Sequence, residues 1–334
     1  MLRGRIQWGK STIKILAHFT LAYTSFRRFD PNLNAFCPNT MYYRRKYILA
    51  LMQEFNGSLD NLNLQKLLFL ATRKQEKKAF DFVPYKYGCF SFQANQDLST
   101  MAKLGNVERD NRTWKCLDES HYKNQLKPED VATINWVYRT YQNHTAEDLI
   151  QETYRKYPFF ATKSKIASKV LTKEELNKVN AQKRTHNTPM FFTIGYEGIS
   201  LETYLNKLII NDVRLLVDVR KNSLSMKYGF SKSQLQNACE SIGIKFIHLP
   251  QLGIESEKRK NLQSLKDYQQ LFAAYQKTTL KKNQEYLSKL KELCQKYQRV
   301  AITCFEKEVC MCHRGVVAKE IAKLEGWDIP QKNL

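Results

Sequence analysis

The spacing of apolar positions changes character near residue 190. From Met41 to about Asn180 it is helical. Tyr47, Ile48, Leu51 and Phe55 make one stripe closed by Asn56-Gly57, and Leu64, Leu67, Leu68 and Ala71 make the inner face of a second helix starting near Asn61. VPYKYGCFSF (83–92) breaks that period, with Pro84 and Gly88 marking a turn between aromatics. The segment DLSTMAKLG predicts a helix stopping at Gly105, and NVERDNRTWKCL a short hairpin or wing. Helices return at EDVATINWVYRTYQ and AEDLIQETYRKYP, each acidic near its start as the helix dipole prefers. Residues 162–189 are polar and lysine-rich, and read as a linker with one short helix.

Beyond 190, strands and helices alternate. MFFTIGY (190–196) is a strand, and Ser200 can cap a helix with the face Leu201, Tyr204, Leu205, Leu208 and Ile209. VRLLVDV (213–219) is nearly all apolar, as a parallel strand covered on both faces is. A helix with Leu235, Ala238, Cys239 and Ile242 ends at Gly243, and KFIHLP is the third strand. Helices over about 265–277 and 281–297 lead to a fourth strand, Val300 to Phe305. A last helix carries Val317, Ile321 and Leu324, with Gly326 as its stop. The expected fold class is therefore α/β: a three-layer C-terminal domain (190–334) with a mainly parallel sheet, preceded by a mostly helical domain (41–161).

Charge changes this picture more than composition does. Lys and Arg number 54 against 32 Asp and Glu, a formal net charge of +22. A field that positive favours anionic partners, nucleotide or nucleic acid, although lysines spread along the whole chain also suit an ordinary soluble protein. The eight cysteines are scattered without a secreted disulfide pattern, and no apolar run is long enough to span a bilayer. A cytoplasmic protein with reduced thiols and no membrane partner is expected. Residues 1–40 are basic with little that resembles a packed element, and Met41 reads as the natural start. The competing reading of that extension is an amphipathic membrane arm or transit peptide.

The chemistry-bearing motifs fall where strands end. Tyr196-Glu197 follows the first strand, Asp218 to Arg220 ends the second, Gly253 closes the turn after the third, and Cys304, Glu306, Cys312, His313 and Arg314 follow the fourth. In a parallel sheet these ends share one edge, where ligands bind. Glu197, Asp218, Cys304, Glu306 and His313 are the candidate catalytic residues, and Tyr196, Arg220, Gly253, Cys312 and Arg314 the candidate ligand-binding ones. Free N–H groups of the last helix and the fork of Arg314 suit a phosphate. Each residue has a plainer role: Cys304 as a buried small hydrophobe, His313 as a helix cap, Asp218 with Arg220 as a structural ion pair. Glu197 and Glu306 have the composition of a carboxylate pair. Cys304, Cys310, Cys312 and His313 are zinc-ligand types, but adjacency of Cys312 and His313 is awkward for two ligands, and no metal or cofactor is expected.

TIGYEG, LVDVR, IKFIHLPQLG and C-x-E followed by C-H-R resemble the domain-of-unknown-function family numbered 488, over essentially all of 190–334. The pattern is distantly similar to the rhodanese-type fold. That fold's loop places Arg six residues after a nucleophilic Cys, whereas Cys304 and Arg314 stand further apart. Residues 61–107, with Leu64-Gln65-Lys66-Leu67-Leu68 and Phe82 to Gly88, resemble the Panacea family of antitoxin-associated helical domains, with Cys89 where a proline or other small residue is usual. Together the resemblances imply an enzyme-like domain fused to a regulatory, partner-binding module, in a toxin–antitoxin or phage-defence setting. A non-enzymatic regulatory or nucleic-acid-binding protein is the alternative.

Overall fold

The computed structural model describes residues 41–259 and 262–334, so the expectations for residues 1–40 lie outside the described residues. Helix α1 (Tyr43–Glu54) ends where Asn56 and Gly57 both adopt positive φ. Strand β1 (Ser58–Asp60) follows, and the Asp60 carboxylate caps α2 (Asn61–Thr72) by accepting from the N–H of Leu62 at 2.9 Å and of Asn63 at 3.1 Å. The aromatic break is the hairpin of β2 (Val83–Tyr85) and β3 (Gly88–Phe90). Helix α3 (Phe92–Lys103) is capped by Ser91 and so begins before the expected Asp97. Strands β4 (Val107–Asp110) and β5 (Thr113–Cys116) form the expected wing, to which β1 adds a third strand. Helices α4 (Pro128–Tyr141) and α5 (Ala146–Lys156) complete this half. Because α2, α3, α4 and β5 all pack on α1, every residue of α1 from Tyr47 to Met52 is buried, where the pattern predicted a single stripe.

Residues 162–189 hold two helices, α6 (Ala167–Val170) and α7 (Lys173–Ala181). Ala167 and Val179 are buried against Ile150 and Tyr154 of α5. The lysines are their outer face.

The α/β half begins at β6 (Met190–Gly195) and continues through α8 (Leu201–Ile210), β7 (Leu215–Asp218), α9 (Lys232–Ser241) and β8 (Lys245–His248). Helices α10 (Leu265–Tyr275) and α11 (Gln284–Tyr297) then lead to β9 (Arg299–Cys304), α12 (His313–Ile321) and β10 (Gln331–Asn333). The sheet is parallel throughout, in the order β10-β6-β9-β7-β8. Alternating side chains serve two cores. Phe191, Leu215, Val217, Val300 and Ile302 pack with α10–α12, while Phe192, Ile194, Leu216 and Ala301 pack with α8 and α9. Helix α12 stops at Ile321, short of Gly326, and Leu324 packs on the core from the turn beyond it. Among the described residues no helix is long and apolar enough to cross a membrane.

Residues 42–334 form one compact unit, joined by two helix N-termini that take each other's acids. Asp81 accepts from Ser200 Oγ at 2.7 Å and Thr203 Oγ1 at 3.1 Å at the start of α8. Glu202 of α8 accepts from the Gln93 N–H at 2.8 Å and Ser91 Oγ at 3.2 Å at the start of α3. Burial pushes the Glu202 carboxyl above its ordinary value, against those hydrogen bonds. A carboxyl that binds its proton more tightly when folded favours folding fully below its unfolded pKa, and that contribution is lost as pH rises through the folded one. Glu202→Gln keeps an acceptor and removes the titration. In urea melts between about pH 4 and about pH 7, the variant should gain on wild type as pH rises; a difference constant with pH would refute the assignment.

Candidate functional site

Register sets the site. Gly195 lies opposite Cys304, and Asp218 opposite Thr303, so β6, β9 and β7 end level with one another. Gly195 is required there because a Cβ would lie 2.0 Å from the Glu306 carbonyl oxygen, and Gly253 because a Cβ would lie 2.2 Å from the Lys221 nitrogen. These two close approaches bring the turns after β9 and β8 onto the strand ends.

The sheet then sorts the expected constellation into two groups. On the α8–α9 face, Asp218 and Arg220 form a buried bidentate pair, Nε to Oδ1 at 2.8 Å and an outer nitrogen to Oδ2 at 2.7 Å. Arg220 also donates to Tyr196 Oη at 2.6 Å, and the Tyr196 ring stacks on Phe230 at 4.2 Å between centroids. Burial opposes the Arg220 charge, yet the Asp218 bonds raise its pKa above the ordinary guanidinium value. This group is closed on itself. It is the structural ion pair weighed from the sequence.

Cys304 follows Val300 and Ile302 by period two and faces α12. Its Sγ lies 3.1 Å from Glu306 Oε2 and 3.5 Å from His313 Nδ1. The Sγ of Cys304, the Sγ of Cys312 and a ring nitrogen of His313 all lie within 4.8 Å of one another. Cys312 is the N-cap of α12 with extended backbone (φ −132°, ψ 135°), while His313 is the first helical residue. That change of conformation between neighbours turns both side chains to the same side and removes the awkwardness expected of adjacent ligands. His313 donates from Nε2 to the Val219 carbonyl at 3.0 Å, and its ring meets Tyr275 edge-on.

Arg259, from the turn Ser256–Arg259, closes the group. It bonds Glu306 Oε1 at 2.8 Å and His313 Nδ1 at 3.0 Å. Burial alone would push the Cys304 thiol up; the Cys312 hydrogen bond, His313 and the Arg259 charge outweigh it and hold Cys304 well below the usual thiol range. Cys312 moves the opposite way, raised by burial and by the charge on Cys304. Burial and the Cys304 charge also raise Glu306, against Arg259. The Cys304 charge pulls His313 up as well, against its burial. An imidazolium, however, would set an Nδ1–H against a guanidinium N–H, and a guanidinium has no lone pair to accept it. The neutral ring protonated at Nε2 is the form this geometry holds.

The remaining candidates lie outside that group. Glu197 is exposed and accepts from the Lys307 N–H at 2.9 Å, while Glu306 pairs with Arg259. Cys310 is exposed. Arg314 is buried, and its two outer nitrogens donate to the carbonyls of Glu306 and Lys307, the latter at 2.8 Å. Its fork therefore holds the loop and does not present itself to a phosphate. Sequence reasoning missed Arg259 and the Val219 carbonyl. The former sits in the run ESEKRK, which reads as a solvated charged surface, and the latter leaves no side-chain signal at all.

Residues 200–321 match the family model described as Domain of unknown function DUF488. That span runs from the cap of α8 to the end of α12 and includes Asp218, Arg220, Arg259 and the whole Cys304–His313 group. No curated protein matches the chain.

Arg314→Ala removes two charge-assisted bonds to the part-buried carbonyls of Glu306 and Lys307, at about 1.5–3 kcal/mol each. Denaturant unfolding should show a loss of at least about 3 kcal/mol, which Arg314→Lys does not restore, because one ammonium lacks the fork that spans both carbonyls. Unchanged stability in Arg314→Ala would free that guanidinium for a ligand role.

Proposed function

We propose that the α/β half is a catalytic module for a phosphate-bearing ligand, nucleotide or nucleic acid, with its reaction centre at Cys304, Glu306, Cys312 and His313. The observation that carries this reading is topological. From β7 the chain moves outward to β8, and from β9 it moves the other way, past β6, to β10. Open α/β sheets bind ligands outside the strand ends where adjacent connections diverge in this way, and here that crevice lies between β7 and β9. Cys304 ends β9, and His313 reaches the backbone just past β7. Arg259, bonded to Glu306 and His313 with its side chain 27% exposed, is the cation we assign to a phosphate, the role first expected of Arg314. The net charge of +22 favours such a ligand.

The resemblance of residues 61–107 to the Panacea family supports a regulatory role for the helical half, and with it a protein partner and a defence setting. One observation favours a second, non-enzymatic reading: Cys304, Cys312 and His313 are each no more than 1% exposed. A sensor or scaffold would bury them in this way.

The full chain, incubated with a panel of nucleoside mono-, di- and triphosphates and short single-stranded RNA and DNA, separates the two. Phosphorus NMR and chromatography should detect conversion of at least one class. Glu306→Gln should keep binding and lower turnover roughly a hundredfold or more, as loss of an acid–base group does. Binding of nucleic acid should weaken steeply between low and moderate salt as counterions are released. No conversion by wild type, with no ligand-induced rise in melting temperature, would leave the scaffold reading standing.

A further inference from the structure

We infer that Cys304, Cys312 and His313 form a site for a divalent metal of the zinc type, with Glu306 as the fourth ligand. The donor set is soft, two thiolates and an imidazole, which selects zinc or a similar transition metal over magnesium or calcium. The geometry fits. With Zn–S near 2.3 Å and Zn–N near 2.0–2.1 Å, tetrahedral coordination places sulfur and nitrogen roughly 3.5 Å apart. Cys304 Sγ and His313 Nδ1 are 3.5 Å apart. Glu306 Oε2 is 3.1 Å from the same sulfur but outside the group of donor atoms that lie within 4.8 Å of one another, so its side chain turns inward to become the fourth ligand.

A second observation is independent of those distances. The Nε2–H of His313 is held by the Val219 carbonyl, which leaves the Nδ1 lone pair on the side of Cys304 Sγ, 3.5 Å away. Metal-bound histidines are oriented by this kind of outer bond, which fixes tautomer and ring together. In the described form Arg259 donates to that lone pair. A metal takes its place there, and Arg259 keeps its pair with Glu306 Oε1. The charges then close: two thiolates and one carboxylate against a divalent ion and one guanidinium. Any thiol proton still held leaves to solvent as the metal binds.

The inference goes beyond the phosphate reading and does not depend on it; with the metal bound Glu306 is a ligand, so the acid–base role proposed for it belongs to the metal-free form. Its test uses the full-length chain, reduced and stripped with a chelator, then titrated with Co²⁺ alone. One equivalent should bind and give the visible bands of tetrahedral cobalt, with a near-ultraviolet sulfur-to-cobalt transition sized for two thiolates. Zn²⁺ should displace it and slow alkylation of Cys304 and Cys312 at least tenfold, while exposed Cys310 reacts as before. Cys312→Ser should halve the sulfur transition. Octahedral cobalt without that transition, equal alkylation of Cys304 and Cys312 with and without Zn²⁺, or uptake unchanged in Cys312→Ser would each overturn the site. The wild-type spectrum needs no variant to fold. A missing phosphate ligand would leave that spectrum unaltered, so the two proposals fail separately.

Discussion

Everything at the strand ends depends on one buried cation. Arg314 is 1% exposed and pairs with no carboxylate among the described residues; the carbonyls of Glu306 and Lys307 take its charge. A guanidinium so buried is tolerable only where hydrogen-bond acceptors replace water, and two converging carbonyls do so for its outer nitrogens, while Nε is buried without a partner. The consequence runs backwards along the chain. Because α12 is fixed by its packing on β9, Arg314 pins the loop after β9 to the start of that helix. The loop then presses on Gly195, where any side chain would collide. Cys304 and Glu306 at one end of the loop, and Cys312 and His313 at the other, are thereby held in a common place.

The second constraint is the sheet itself. The motifs read as a single constellation because they all end strands, but alternation sends Cys304 to one face and Asp218 to the other. The Asp218–Arg220–Tyr196 group is therefore not part of the Cys304–His313 cluster. It acts on that cluster through backbone: its ion pair holds the chain just past β7, and the next carbonyl, that of Val219, orients His313. Side chains on one face thus fix a tautomer on the other.

The same distinction explains how far the sequence could be read. Period and caps made the sheet strands β6 to β9 and their helices legible: β6, β7 and β9 bury apolar runs, and α8 starts at a serine cap. Strands β1 and β10 were not legible. Each has three residues, and pairing with a neighbour, not any pattern of its own, makes it a strand. Within the site, Cys304, Glu306, Cys312 and His313 were found by their positions at a strand end and a helix start. The role of Arg314 was misread because a sequence shows a fork but not what already fills it. Arg259 lay in a charged run that only the fold could distinguish from surface.

The junction between the two halves is built from reciprocal helix caps and shared core. Asp81 and Glu202 cross it in opposite directions, each ending at the N-terminus of the other half's helix. Val83 of the helical half lies in the same core as Phe192, Ile194 and Tyr196, and Tyr228 donates to the Phe92 carbonyl at 3.0 Å. A partner that shifted β2 or the start of α3 would therefore press first on α8 and on Tyr196. Tyr196 bonds Arg220, and Arg220 is locked to Asp218, one residue before the Val219 carbonyl that holds His313. That is a contiguous physical path, built from packed and hydrogen-bonded groups, from the helical half to the imidazole. It carries coupling only if one of its members has two arrangements. The Tyr196 hydroxyl is the member with the least redundancy, since Arg220 keeps both Asp218 bonds when that single contact is broken.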